Sequence, residues 1–296
     1  MECATLGTMR IARSLSELRT LLPAFRTRPL CLVPTMGALH EGHGSLVDRG
    51  RAEGGIVAVS IFVNPLQFGP TEDLARYPRV PEQDLEFLAK KGADLVFLPR
   101  AEELVPPTAT TTVTPGPAGR LYCGASRPGH FAGVLTIVSK LFHLFAPEIA
   151  IFGEKDRQQL FLIRAMVRDL ALPVRVLGHP TAREPDGLAM SSRNRYLEAG
   201  ERKRAVRLPQ LLEETARKWE LSPPKTDKEV GEIRASLEEA LTREGFRVDY
   251  VAFADPETLL EVVAPPPYPI FLLAAVFLGK TRLIDNLTIG PESARV

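Results

Sequence analysis

The sequence predicts a doubly wound α/β fold: a Rossmann-like parallel sheet followed by a second, smaller α+β domain. Three observations carry that expectation. Short apolar runs, Leu30–Val33, Ile56–Val63 (rich in β-branched residues) and Leu95–Leu98, alternate with stretches of helical periodicity. The runs are apolar on both faces, as strands of a parallel sheet covered by helices must be. Beyond His179-Pro180 the alternation stops, and amphipathic helices give way to strands that turn on one another. A chain of 296 residues, 45% hydrophobic and 25% charged, has the composition of a soluble globular protein and the length for two modest domains.

Residues 1–8 are expected to be a loose tail, with Met9 as a candidate functional start, because helical spacing (Ile11, Leu15, Leu18, Leu22) begins only after them. Leu30–Val33 then reads as a strand, Thr35-Met36-Gly37 as a turn, and the residues from about Gly42 through Val47 as a helix. Ile56–Val63 is a second strand, Pro81–Lys91 a crossover helix with Leu85, Leu88 and Ala89 on its apolar side, and Leu95–Leu98 a third strand. Thr108–Val113 is β-prone, Phe131–Phe145 an apolar helix, Ile149–Phe152 a buried strand, Gln158–Leu170 a helix and Leu172–Leu177 a last strand. This gives about five parallel strands in a first domain, 1–181, whose carboxyl edge is the expected ligand site. A second domain follows at 182–296. It comprises a helix at Glu201–Trp219, another at Lys228–Glu244, strands at Val248–Ala254 and Ile270–Leu287 turning at Gly279-Lys280, and a loop at Ala264–Pro267.

The longest apolar run, Ile270–Leu278, falls well short of the ~20 residues needed to span a bilayer, so no membrane partner is expected. Net charge is +1, which gives no global pull toward nucleic acid. Cys3, Cys31 and Cys123 form neither a CxxC pair nor an even framework, and no secretory h-region is visible, so a reduced cytoplasm is the expected home.

The stretch Pro34–His43 (PTMGALHEGH) places His40 and His43 three residues apart at a strand-to-helix turn. Gly37 permits the turn and Gly42 a close approach of ligand to backbone, while the helix start offers free N–H groups to phosphate. Two histidines in a polar turn would look the same in isolation, but the glycines and the strand before them favour a ligand role. A zinc site is the weaker functional reading, since no third His or Cys stands at ligand spacing. Gly153-Glu154-Lys155-Asp156 also follows a strand, where Lys155 could meet phosphate and Asp156 a ribose hydroxyl; a solvated turn is the plainer alternative. Gln158 and Gln159 follow on the next helix.

Gly187–Arg195 (GLAMSSRNR) concentrates hydroxyls and guanidiniums and suits a phosphate clamp, the alternative being a polar loop that caps the next element. Asn64 and Gln67 are candidate substrate-orienting amides, or turn formers. His130, His143 and His179 each stand alone and read as capping or satisfied buried residues. Glu82 and Asp84 could meet a metal-bound phosphate or simply solvate a helix N-terminus. Neither GxGxxG nor GxxxxGK[ST] is present.

Taken together, MGALHEGH, VSIFVNPLQFG, RPGHFAGVLTIVSKLF, FGEKDRQQL and REPDGLAMSSRNRYL resemble the pantoate–β-alanine ligase family along most of the chain, most strongly over residues 30–200. HEGH is similar to the HIGH element, and MSSRN to the KMSKS element, of the wider nucleotidyltransferase superfamily. The resemblance implies ATP-dependent condensation of pantoate with β-alanine through a pantoyl-adenylate, releasing AMP and pyrophosphate. It places Met36, Gly37, Ala38, Leu39, His40, Glu41, Gly42, His43, Gly153, Glu154, Lys155, Asp156, Ala182, Met190, Ser191, Ser192 and Arg193 against ATP. His40, His43, Lys155, Ser191, Ser192 and Arg193 would carry the chemistry, with His43 as proton donor. Gln67 and Gln159, with Asn64, would hold pantoate, and Gln67 would also meet β-alanine. Magnesium would accompany ATP, its protein ligands unknown, and the family suggests a homodimer. Two positions depart from the family pattern: Gly44, where Leu or Met is usual, and Arg157, where Tyr is common. Gly44 is expected to loosen the helix start by about 1 kcal/mol. A nucleotidyltransferase that leaves its nucleotide on the product, and a non-enzymatic nucleotide-binding protein, are the other two readings at this point.

Overall fold

The structure is a computed structural model that describes residues 5–6, 9–70, 72–262, 264 and 269–290. The chain divides into two compact units, Met1–Arg120 with Arg127–Thr181, and Leu121–Ser126 with Ala182–Val296.

In chain order the elements up to residue 181 are β1 (Thr5–Leu6), β2 (Met9–Ala12), α1 (Leu15–Leu21), β3 (Leu30–Thr35), α2 (Glu41–Ala52), β4 (Ile56–Ile61), α3 (Pro81–Lys91), β5 (Leu95–Phe97), α4 (Ala101–Leu104), α5 (Cys123–Ser126), α6 (His130–Phe145), β6 (Ile149–Gly153), α7 (Arg157–Asp169) and β7 (Arg175–His179). All but α5 belong to the first unit. Its sheet runs β1-β2-β5-β4-β3-β6-β7, parallel throughout except for the short antiparallel β1–β2 pair. The central strands form because Leu30–Val33 and Ile56–Ile61 are apolar at every position but Ser60 and are buried on both faces. Val33, Val57, Val59, Val96 and Ile151 meet α2 and α3 through Leu46, Val47, Leu85 and Leu88. Elsewhere in this unit Phe97 of β5 meets Phe145 of α6 edge-on, with ring centroids 5.9 Å apart.

Several expectations are corrected here. The parallel part of the sheet has six strands rather than about five, because Met9–Ala12 is a strand paired with β5, Arg10 opposite Leu95, and not the start of a helix. Thr5 and Leu6 pair with Arg10 and Met9, so part of the expected tail is strand; residues 1–4, 7 and 8 lie outside the described residues. Thr108–Val113 forms no strand, and the Val113 N–H goes instead to Thr136 Oγ1 at 2.9 Å. The last strand begins at Arg175 rather than Leu172, after Pro173, which has no N–H to pair.

The second unit holds α5, α8 (Ala199–Ala205), α9 (Arg207–Leu221), α10 (Asp227–Arg243), β8 (Arg247–Ala254), β9 (Ile270–Leu278) and β10 (Thr281–Ile289). Its antiparallel sheet has the order β10-β9-β8, and Trp219 of α9 stacks on Phe253 with centroids 4.3 Å apart. The helix expected over Glu201–Trp219 is two helices, because Pro209 collides with the carbonyl four residues back, on Ala205, where α8 ends. The segment 121–126, expected in the first domain, belongs to this unit: Tyr122 donates to the Leu259 carbonyl at 2.7 Å, and Ser126 Oγ and Arg282 both donate to Asp249. Of the proposed Ala264–Pro267 loop only Ala264 is among the described residues.

Cys31 and Cys123 are both buried. Burial, with Glu53 nearby, pushes the Cys31 thiol up to about 11, so it is an inert core residue. No helix among the described residues is long and apolar enough to cross a membrane.

Candidate active site

Strand β3 has β4 on one side and β6 on the other, so the chain's connections leave it in opposite directions. Open α/β sheets bind ligands at such a switch point, outside the carboxyl ends of the strands. Three segments emerge at that edge: Met36–His43 after β3, Asn64–Gln67 after β4, and Gly153–Asp156 after β6.

His40 and His43 cap α2 reciprocally. His40 Nδ1 accepts from Gly42 N–H at 3.2 Å, and His43 Nδ1 accepts from His40 N–H at 3.3 Å, with ring centroids 4.1 Å apart. Each cap needs a lone pair on Nδ1, so in the neutral rings the proton sits on Nε2. The caps therefore fix both tautomers and place an Nε2–H donor on each ring at the helix start, where the macrodipole already favours an anion. Burial of His43, with His40 and Lys155 close by, holds its pKa well below the ordinary histidine value. Lys155 stands close to His43, at the neighbouring strand end.

His130, at the start of α6, is pushed down to about 4 by burial and by the charge of Arg127. Like His43 it is neutral when folded, so between pH ~6.5 and the folded pKa the unfolded chain binds more protons, and stability rises with pH there. We expect unfolding free energy to be fully retained above pH ~6.5 and to fall on acidification to about 4, with His130 alone accounting for about 3 kcal/mol. Urea unfolding at pH 7 and pH 5 with equal midpoints would contradict this.

The turn between β3 and α2 is strained and held by a residue that sequence reasoning set aside. Gly37 has φ +81° and Ala38, fully buried, has φ +50°. Asp84 of α3 accepts from Ala38 N–H at 2.9 Å and Leu39 N–H at 2.7 Å. A Cβ on Gly37 would lie 2.9 Å from the Asp84 carboxylate, so glycine is required for that approach. The expectation that Asp84 solvates a helix end, or meets a metal-bound phosphate, is corrected: it is 3% exposed and bonded inward.

Gly44 also has a packing reason. A Cβ there would lie 2.5 Å from Lys91 Cε and 3.0 Å from Phe87, because the Lys91 side chain crosses α2 at this point to reach Glu41 at 2.7 Å and Asp48 at 3.5 Å. The gain of about 1 kcal/mol in helix propensity from Gly44→Leu is thus opposed by overpacking of about 1–3 kcal/mol. We expect a net loss of stability of roughly 1 kcal/mol in urea unfolding; a variant more stable than the parent would show that Lys91 moves aside freely.

Gln67 ends the Pro65–Gln67 turn. Asn64 is 1% exposed and its amide is spent inside the protein: Oδ1 accepts from Leu66 N–H, and Nδ2 donates to the Gly133 carbonyl at 3.0 Å and to Gln67 Oε1 at 2.9 Å. The bond from Asn64 Nδ2 to its Oε1 orients Gln67, whose Nε2 donates toward Met36 Sδ at 2.9 Å. Gln158 is buried and donates to the Ala118 carbonyl, while Gln159 beside it is half-buried. Arg157 pairs with Glu154 at 3.2 Å, both mostly buried, so the unusual cation is neutralised locally.

His143 is exposed and hydrogen-bonds the Ser139 carbonyl. His179 is corrected from the satisfied role expected of it: its Nδ1 is buried with no hydrogen-bond partner. Among the described residues no group of three His, Cys, Asp or Glu is placed to hold a metal ion.

Ala182 and Met190–Arg193 lie in the second unit, in a loop closed by the Arg183–Ala189 bridge and by Met190 N–H to the Ala182 carbonyl at 2.9 Å. Arg183 forks onto the buried Asp285 at 2.8 and 3.0 Å and anchors this loop, a pairing that sequence separation hid. Ser191 Oγ accepts from Arg193 N–H, capping a 3-10 turn over Ser192–Tyr196, so the plain capping role is realised alongside any ligand role.

Fold and switch-point geometry define the class: an α/β protein whose ligand edge presents neutral imidazole donors and a lysine suited to an anion. The sequence model for pantoate-beta-alanine ligase matches residues 10–288. A pantothenate synthetase of Nocardioides sp. is 50% identical over 291 residues, covering 94% of this chain and 85% of that one. The crystal structure of pantothenate synthetase from Thermus thermophilus superposes with a TM-score of 0.88 at 45% identity, covering 96% of this chain and all of that one (100%). The pantoate-beta-alanine ligase of Francisella tularensis, solved with beta-gamma ATP and beta-alanine, gives 0.78 at 32% identity over 94% of this chain and 97% of that one. The chain belongs to the pantoate–β-alanine ligase family.

Proposed function

We propose that the carboxyl edge of the parallel sheet is where this ligase condenses (R)-pantoate with β-alanine at the expense of ATP. A pantoate carboxylate oxygen attacks the α-phosphorus, pyrophosphate leaves, and the pantoyl-adenylate forms. The β-alanine amine then attacks the acyl carbon, loses a proton and expels AMP, giving pantothenate.

The observation that carries this reading is the pair of reciprocally capped histidines at the switch point, with Lys155 beside them. Charge accumulates on the phosphoryl oxygens as pyrophosphate departs, and preorganised donors stabilise that charge without reorganising. His43, as proton donor, and His40 would face those oxygens, Lys155 the triphosphate, and the Met36–Glu41 and Gly153–Asp156 backbones the remainder of ATP. Gln67 and Gln159 would grip pantoate, Gln67 also meeting β-alanine. Residues 182–296, through Ala182 and the Met190–Arg193 loop, would clamp the phosphates and close over the nucleotide. Catalysis is then mainly positioning and charge stabilisation.

Magnesium would arrive with ATP. The donor set fits an ion held mainly by phosphate oxygens and water, since no dedicated cluster of three His, Cys, Asp or Glu stands among the described residues. A homodimer in the cytoplasm completes the proposal; sedimentation as a monomer at micromolar concentration would contradict the dimer.

The deciding experiment is AMP release with pantoate and β-alanine each omitted in turn. Release that requires both supports the reading. Release that depends on neither, or a stable nucleotidylated product, overturns it.

A further inference from the structure

Gln67 is held from two directions. From one side Asn64 Nδ2 bonds its Oε1. From the other, its backbone oxygen accepts from His130 Nδ1 at 2.8 Å and from Arg127 Nη2 at 3.3 Å. Arg127 Nη1 lies 3.0 Å from His130 Nε2. A guanidinium can only donate, so Nε2 accepts, and the ring's proton must sit on Nδ1, facing the Gln67 oxygen. Glu72 in turn holds the guanidinium by a fork: Nε donates to Oε1 at 2.9 Å and Nη2 to Oε2. Burial alone would raise the Glu72 carboxyl, but the Arg127 bonds outweigh it and hold it below its usual value. The α6 helix seats directly on the same turn: a Cβ on Gly133 would lie 2.2 Å from the Leu66 carbonyl oxygen.

The Pro65–Gln67 turn already has its own cap, since Asn64 Oδ1 accepts from Leu66 N–H. An ion pair and a buried imidazole are therefore spent on one further peptide oxygen, that of the residue proposed to grip pantoate.

We infer that Glu72, Arg127 and His130 are positioning residues for the hydroxy-acid substrate: they act through Gln67, whose backbone they hold in place at the edge of the sheet. This rests on the proposed role of Gln67. A displacement of the Gln67 backbone by a fraction of an ångström would be felt where the substrate is gripped, and not where ATP binds.

Steady-state kinetics of the full chain, varying pantoate and ATP separately, tests it. Arg127→Ala is expected to raise the pantoate KM roughly tenfold while the ATP KM stays within about twofold. Two substitutions at His130 separate positioning from packing. His130→Asn keeps a donor for the Gln67 oxygen but loses volume, whereas His130→Phe keeps a ring but loses the donor. Positioning predicts that Asn is the milder change in pantoate KM, and simple packing predicts Phe. Equal rises in both KM values, an unchanged pantoate KM in folded Arg127→Ala, or Phe milder than Asn would each overturn the inference. Where Arg127→Ala fails to fold, Glu72→Gln, which keeps shape and removes charge, reads the same KM split with the same expected sign. Gln67→Ala serves as the control: if it leaves the pantoate KM unchanged, the role of Gln67 itself is wrong. A raised KM there with a normal Arg127→Ala would instead sink the positioning group alone.

Discussion

His43→Ala lowers kcat by roughly 10²–10³-fold, the magnitude associated with removing one preorganised donor to developing charge. The fold survives, because the other half of the reciprocal cap, His40 Nδ1 on Gly42 N–H, does not depend on the lost ring. Losing the His43 half costs about 1 kcal/mol of helix stability. Two further substitutions separate that structural part from the chemistry. Asn offers an oxygen near the position of Nδ1 and can accept from His40 N–H, so His43→Asn keeps the cap and loses the outward Nε2–H. Gln reaches toward the position of Nε2 and keeps a donor there while losing the cap. We therefore expect His43→Asn to be stable and nearly as slow as His43→Ala, and His43→Gln to be less stable yet faster. Single-turnover AMP formation with thermal melts of the three variants checks the pattern. Full activity in His43→Asn would remove His43 from the chemistry and leave it as a cap.

The central strands were legible because a strand covered on both faces must be apolar at nearly every position, and Ile56–Ile61 and Ile149–Phe152 are. Strand β2 was not, because Ile11 stands at helical spacing from Leu15, Leu18 and Leu22, and what makes Met9–Ala12 a strand is the open edge of β5, more than eighty residues on. Thr108–Val113 fails for the converse reason. Its β-branched residues suit a pleated surface, but the segment forms no strand and its Val113 N–H is taken by the Thr136 hydroxyl. At the site, His40 and His43 could be read from a glycine turn between strand and helix. The residues that hold the loops at this sheet edge could not. Asp84 meets backbone N–H groups 46 and 45 residues away, and Arg127 and His130 meet a carbonyl 60 and 63 residues away. Such pairings leave no periodicity or motif; their only trace in the sequence is a charged residue that looks like any solvated helix end.

Asp84 puts that distinction to a quantitative test. Asp84→Asn is nearly isosteric, yet it replaces one of two acceptor oxygens with an NH2 that faces an N–H group at 2.7–2.9 Å. One buried backbone donor is then left without an acceptor, and the remaining bond loses its charge assistance. A buried unsatisfied donor costs about 1–3 kcal/mol, and charge-assisted bonds are worth about twice neutral ones, so a stability loss of about 3 kcal/mol is expected. The functional effect is separable from the thermodynamic one. Ala38 keeps its φ of +50° only because the surrounding bonds impose it, and a relaxed Ala38 moves His40, the N-cap residue two positions on. The ATP KM is therefore expected to rise by about tenfold or more in folded Asp84→Asn, with the pantoate KM changing less. This is the opposite split to that expected of Arg127→Ala, and the two variants together test whether the nucleotide loop and the Gln67 turn are held independently. A variant with parental stability and parental ATP KM would mean that the turn holds its strained shape without the carboxylate, and Asp84 would return to being an ordinary residue of α3.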